Sequence, residues 1–227
     1  MAGKLYGISV GTGDAKLMTL KAKEILDAVK VIAAPVKALD EKSTALASIR
    51  PLIDMAEKEI MPVVFAMEHS LVKREMCRRE AAGQIQEKLD RDMDVAMIVS
   101  EDFSLYNTYH LIYTYIRDAG YDTEVIPGIT NFSLGAAKAG ISLVQGSQSM
   151  MVLPSLKNPA MFLETLEQCD TLVIMNAGSA MNYIGELLRE QGLEKQTIVF
   201  ENEYAGPPVE GMKYGYMTTL VVKKNGL

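Results

Sequence analysis

Two glycine turns carry most of the chemistry this sequence offers. Gly7-Ile8-Ser9-Val10-Gly11-Thr12-Gly13-Asp14 and Val125-Ile126-Pro127-Gly128-Ile129-Thr130 lie about half a chain apart. Each reads as a β-strand that ends on glycine and opens into a helix. Glycine there permits φ > 0 and lets a ligand lie against bare backbone. The first turn of the following helix then presents N–H donors. Two such junctions suggest two α/β units facing one small ligand. Other chemistries lack their parts. The dinucleotide pattern G-x-G-x-x-G would need glycine at Lys16, and no G-x-x-x-x-G-K-(S/T) occurs. His69 and His110 stand at no metal-ligand spacing to each other or to a cysteine. Cys77 and Cys169 are far apart, and no disulfide is expected in a reducing compartment.

The elements that must position these turns follow from periodicity. Residues 4–10 read as the first strand; Met18, Ala22, Ile25 and Val29 then share a helical face, with Thr19 as N-cap. Short apolar strands are expected at 30–35, stopped by Pro35, at 60–65 and at 94–100. A helix is expected at 44–49, and a long charged one at 68–91 with a solvated outer face. A further helix is expected at 104–118, with Leu105, Ile112 and Ile116 on its stripe and Gly120 past its end. Beyond Gly128 a small-residue helix runs through Ala139, followed by strands at 150–153, 171–175 and 197–201 and helices at 159–168 and 178–191. Residues 213–224 alternate like a hairpin or sheet edge. The pattern is α/β, with a parallel sheet in the first half and mixed directions in the second. The boundary is expected near the second glycine turn, giving domains 1–127 and 128–227.

The 227 residues are 48% hydrophobic and 23% charged, which is globular, and the net charge of -6 argues against a nucleic-acid partner. No apolar run approaches the ~18 residues of a membrane span, and the N-terminus lacks the apolar core of a signal peptide. A soluble, cytoplasmic protein is expected.

The turns also resemble those of a known family. Gly11-Thr12-Gly13-Asp14-Ala15-Lys16-Leu17-Met18-Thr19, Pro127-Gly128-Ile129-Thr130-Asn131 and the strand Thr171-Leu172-Val173-Ile174-Met175 resemble three motifs of the tetrapyrrole methylases. In this family S-adenosylmethionine methylates macrocycles of cobalamin and siroheme synthesis. The likeness covers nearly the whole chain. Within the family, the stretches Ala34-Pro35-Val36-Lys37, Ser43-Thr44-Ala45, Pro62-Val63-Val64-Phe65-Ala66-Met67 and Leu105-Tyr106-Asn107-Thr108-Tyr109 are most similar to the precorrin-2 or cobalt-factor II C20-methyltransferases. Departures stand beside the likeness. Thr12 and Ala15 replace prolines, Ser100-Glu101-Asp102-Phe103 replaces a Gly-Asp-Pro loop, and Asn176 stands where lysine is common. If the loop needs φ > 0 at Glu101, its side chain costs about 1 kcal/mol or more there.

The resemblance implies two α/β domains of the tetrapyrrole methylase type with the cofactor in the trough between them. It implies S-adenosyl-L-methionine as cofactor, S-adenosyl-L-homocysteine as product, a tetrapyrrole substrate and a homodimer. Thr12, Ser100, Glu101, Asp102 and Leu105 should border the cofactor from the first domain, and Thr130, Asn131, Met175, Glu203 and Tyr204 from the second. Methyl transfer from a sulfonium needs alignment and exclusion of water more than acid–base groups. Asp102 is the carboxylate to support the positive sulfur. Asp14, Tyr204 and Tyr216 are the candidates to take a proton. Lys16, Lys37, Arg50 and Lys138 are those to meet substrate carboxylates. A non-catalytic tetrapyrrole- or partner-binding protein on the same scaffold, and a sister methylase acting elsewhere on the macrocycle, remain open alternatives.

Overall fold

The computed structural model describes residues 2–65, 70–107, 109–201, 204–209 and 211–226. The chain divides into two compact units, Met1–Thr130 and Asn131–Leu227.

The first unit is built on five strands: β1 (Leu5–Ser9), β2 (Val31–Val36), β3 (Glu59–Val64), β4 (Val95–Val99) and β5 (Thr123–Ile126). They lie in the order β3-β2-β4-β1-β5, all parallel. Among the described residues the α-helices that connect them are α1 (Leu20–Ala28), α2 (Thr44–Ile49), α3 (Leu71–Leu89) and α4 (His110–Asp118). The central strand shows how both faces are covered. Ala96 and Ile98 of β4 pack with Ala22 and Leu26 of α1 and Ala45 and Ile49 of α2. Val95, Met97 and Val99 point to the other face, with Ile85 and Leu89 of α3 and Ile112 and Ile116 of α4. Alternate residues facing opposite layers is the period-2 rule of a strand buried on both sides. The chain therefore leaves β1 toward one face and the neighbouring β4 toward the other. The crevice at the carboxyl ends of two such strands is where open α/β sheets bind ligands.

Thr19 caps α1 through its hydroxyl, which accepts from Ala22 N at 3.2 Å. Gly120, at φ +91, follows the end of α4. Three expectations are corrected. Strand β2 runs through Pro35 to Val36, because its pairing with β4 ends at Ala33 and the proline meets no ladder on that side. Helix α4 starts at His110, not at 104. Ser104 N–H is taken by Asp102, Tyr106 sits at φ +48, and Asn107 Oδ1 accepts from Tyr109 N at 3.0 Å, so the backbone turns before it coils. Helix α3 is not only a solvated face, since Ala81, Ala82, Ile85 and Leu89 are buried along it. The expected start of α3 at Glu68 lies outside the described residues.

The second unit holds α5 (Asn131–Ala139), β6 (Met150–Leu153), α6 (Pro159–Gln168), β7 (Thr171–Ile174), α7 (Met181–Glu190), β8 (Thr197–Glu201), β9 (Tyr204–Gly206) and β10 (Thr219–Lys223). The strand order is β6-β7-β10-β8-β9. β6 and β7 are parallel, whereas β10 runs antiparallel to both its neighbours and β9 antiparallel to β8. Phe162 of α6 and Ile184 and Leu188 of α7 form the core against Leu172, Ile174, Val199 and Leu220. On α5, Gly135 lies so close to the Phe200 ring that a Cβ would stand 2.2 Å from it. The expected edge strand at 213–224 is corrected: one strand forms, at Thr219–Lys223, and it is central. Val221 and Val222 have fully buried side chains, so both faces are covered and no edge exposure explains the alternation.

Candidate active site

At the carboxyl ends of β1, β4 and β5, three loops of the first unit are laced together. Gly11 O accepts from Glu101 N at 2.7 Å, closing an isolated antiparallel bridge between those residues. Ser9, fully buried, accepts through Oγ from Phe103 N at 2.9 Å. Asp102 reaches the third loop, its Oδ2 accepting from Gly128 N at 2.7 Å. Oδ1 accepts from Ser104 N at 2.9 Å and also from the Ser104 hydroxyl. Burial alone would raise the pKa of this carboxyl. The N–H of Gly128 and the hydroxyl and N–H of Ser104 outweigh it and hold the pKa below 3.8.

A carboxyl with a depressed folded pKa contributes stability above its unfolded pKa and loses it as pH falls through the folded value. Acid unfolding is therefore expected to steepen below about pH 4. Urea melts of wild type and Asp102→Asn across pH 2.5–5 check this: the variant should lack that component.

Glu101 adopts φ +61, the left-handed conformation anticipated for it. Replacing it with glycine is expected to raise unfolding stability by up to about 1 kcal/mol, read by denaturant titration. A fall would mean that contacts of the Glu101 side chain outweigh the backbone strain.

Phe103, standing where the family motif has proline, is 2% exposed and covers Gly7, where a Cβ would meet the ring at 2.7 Å. The backbone of Gly7 is thus closed to a ligand. Gly11 and Gly13, at φ +76 and +109, have open space at the Cβ position. Between them, Thr12 Oγ1 is buried without a hydrogen-bond partner. A buried hydroxyl left unpaired is costly, and an open-sided glycine loop holding one fits a ligand that brings a polar partner. Asp14 is exposed and caps the short helical turn Ala15–Leu17, accepting from Lys16 N at 2.9 Å. Ser100 and Leu105 are half-buried at the same edge, and Thr130 immediately precedes α5.

In the second unit, residues 217–219 join two of the expected positions. Asn131 Nδ2 donates to Thr219 Oγ1 at 3.0 Å, and Ala177 N donates to Thr218 O at 2.8 Å, just past Met175. Met175 itself is buried at the end of β7, its N–H donating to Leu153 O at 2.9 Å. Asn176 follows at φ +49, with Nδ2 donating to Pro154 O at 3.0 Å. Tyr204 opens β9. Its hydroxyl donates to Pro207 O at 2.5 Å, and burial raises its pKa. Tyr216 is 60% exposed. Glu203 lies outside the described residues. Lys16, Lys37, Arg50 and Lys138 are all exposed. Sequence reasoning missed Ser9 and Glu201. The latter accepts from Gly215 N at 2.6 Å and Thr218 Oγ1 at 3.0 Å, fixing the segment before β10. Ser9 left one signal, a lone hydroxyl in an apolar strand.

Comparison with known proteins decides the family. The model of the tetrapyrrole (corrin/porphyrin) methylases matches residues 4–210. The chain belongs to the tetrapyrrole methylases. Among relatives, it is 32% identical to a probable cobalt-precorrin-2 C(20)-methyltransferase of Methanocaldococcus jannaschii, over 76% of this chain and 71% of that protein. It is 28% identical to the cobalt-precorrin-2 C(20)-methyltransferase of Salmonella typhimurium, over 85% and 81%. A cobalt precorrin-4 methyltransferase structure aligns with a TM-score of 0.70 over 97% of this chain and 94% of that one, at 14% identity, and so shows the shared fold. Tetrapyrrole methylases take S-adenosylmethionine as methyl donor, and the orphaned Thr12 hydroxyl beside open glycines suits such a group. Among the described residues, no three His, Cys, Asp or Glu side chains form a metal-holding group, and no helix is long and apolar enough to cross a membrane.

Proposed function

We propose that this tetrapyrrole methylase transfers a methyl group from S-adenosylmethionine to C20 of precorrin-2 or its cobalt-loaded counterpart in cobalamin biosynthesis. Likeness to two C20-methyltransferases over most of both chains supports the reaction. One observation carries the case for a working enzyme: Glu101 keeps the left-handed backbone, φ +61, where the family motif has glycine. A positive φ is the conformation that glycine at this place would permit, so the Glu101 side chain does not force the backbone out of it.

When bound, the donor supplies an activated methyl group on a sulfonium. The residues proposed to hold it are Thr12, Ser100, Glu101, Asp102 and Leu105, together with Thr130, Asn131, Met175, Glu203 and Tyr204. Their work is orientation and exclusion of water. Asp14 and Tyr216, both exposed, are the groups proposed to receive a proton from the methylated carbon. The proposal includes a cytoplasmic homodimer. Leu71, Val72 and Met76 of α3 and Leu111 of α4 are exposed, apolar side chains that a second copy would cover. Light scattering should then read twice 24.9 kDa.

Calorimetry with S-adenosylhomocysteine, followed by assays on metal-free and cobalt-loaded precorrin-2, tests the activity. Micromolar binding and turnover of one substrate is the expected result. Folded protein that binds no S-adenosylhomocysteine at millimolar concentration would overturn the reading and favour a non-catalytic binder.

A further inference from the structure

The carboxylate of Asp102 faces inward. Three donors converge on it, Gly128 N–H at 2.7 Å, Ser104 N–H at 2.9 Å and the Ser104 hydroxyl, and the residue is 7% exposed. An ionised carboxylate accepts through about four lone-pair sites, so most of its capacity is spent on this chain's own backbone and on Ser104. What those bonds hold is specific. Gly128 is pinned where a Cβ would stand 2.7 Å from Glu101 O and 2.6 Å from Ser9 Cβ. Glu101 stays in its left-handed conformation, which persists only when its surroundings over-determine it. The bonds of Gly11 and Ser9 tie the loop after β4 to β1; the Asp102 bond ties it to the turn after β5.

We infer that Asp102 serves methyl transfer as a positioning residue, latching the loop after β4 to the turn after β5 so that the donor meets a fixed loop, and not as the counter-charge to the sulfonium. The inference rests on the methyltransferase reading above. It also separates two roles that a carboxylate at this position would otherwise share. A counter-charge distinguishes S-adenosylmethionine, which is positive at sulfur, from S-adenosylhomocysteine, which is not. A backbone latch treats both alike.

The test is calorimetric titration of wild type, Asp102→Asn, Asp102→Ala and Ser104→Ala with both ligands, each variant checked by thermal melting. Loss of charge-assisted hydrogen bonds to the latch should weaken both ligands by the same factor, about 10- to 100-fold in Asp102→Ala. Asp102→Asn keeps one acceptor for Gly128 N–H and should recover part of that loss for both ligands. Ser104→Ala, which spares the bond to Gly128, should lose less than Asp102→Ala. Amide exchange in the ligand-free protein adds an independent readout, with Gly128 N–H losing protection in Asp102→Ala. If Asp102→Asn weakens S-adenosylmethionine more than about tenfold beyond S-adenosylhomocysteine, a direct charge role is established and the inference fails while the enzyme reading stands. If folded wild type binds neither ligand, both fall together.

Discussion

Replacing Gly128 with alanine is expected to abolish donor binding and to destabilise the first unit by about 3 kcal/mol, at the upper end of ordinary overpacking. The added Cβ would stand 2.6 Å from Ser9 Cβ and 2.7 Å from Glu101 O. Neither neighbour is a flexible side-chain tip. Ser9 is fully buried in β1 and engaged by Phe103 N–H, and the Glu101 carbonyl belongs to a strained backbone bridged to Gly11. The turn after β5 must therefore move outward, which stretches the 2.7 Å bond from Gly128 N–H to Asp102. Once that bond opens, a buried carboxylate loses one of its donors, and such losses cost about 1–3 kcal/mol. Calorimetry should show S-adenosylhomocysteine affinity reduced at least about 100-fold, and urea titration should show the lower midpoint. Wild-type affinity in a folded Gly128→Ala protein would mean that the turn plays no part in holding the donor.

Phe103→Ala is expected to cost still more stability, about 3–5 kcal/mol, as for other buried aromatic truncations. The ring is 2% exposed, fills the space over Gly7 and meets Tyr113 edge-on with centroids 5.6 Å apart. Its loss leaves a void against a glycine that has no side chain to relax into it. Phe103→Pro, which restores the family's residue, is the more informative companion. Proline has no N–H for Ser9 Oγ and no ring for Gly7, so it should also destabilise, although it matches the family pattern. A melt in which Phe103→Pro equals or exceeds wild type would refute the view that the bond from Phe103 N–H to Ser9 and the ring over Gly7, as a pair of contacts, stabilise this loop.

That pair marks where sequence reading reached its limit. The parallel first sheet, the turn at Gly11 and Gly13 and the helix start at Thr19 were legible because periodicity, caps and φ requirements are local. The turn at Gly128 is corrected in its reason: that glycine is not at positive φ, and it is bare because Ser9 and Glu101 leave no room for a Cβ, so it offers no open backbone to a ligand. The left-handed backbone at Glu101 was legible too, as a consequence of matching a glycine in the family motif. The filling of Gly7 by Phe103 was not, because it joins positions nearly a hundred residues apart through shape. Helix α4 began later than its apolar stripe implied, since Asp102 captured Ser104 N–H in competition with helix formation. Residues 213–224 misled for a different reason. Alternation identifies a strand but says nothing of its place in a sheet, and Thr219–Lys223 went to the middle.

The central place of β10 has a consequence for how the protein is made. β7 and β8 do not pair with each other; each pairs with β10, Val173 opposite Val221 and Val199 opposite Leu220. During synthesis the first unit can complete its sheet as soon as β5 leaves the ribosome, and domains generally fold in that order. The second unit cannot, because the strand that joins its two halves is translated last. Until then Ile174 and Val199, both fully buried in the finished sheet, flank an open slot. The nascent second unit thus passes through a stage with two unpaired strand edges, the state in which chaperone capture or aggregation competes with folding.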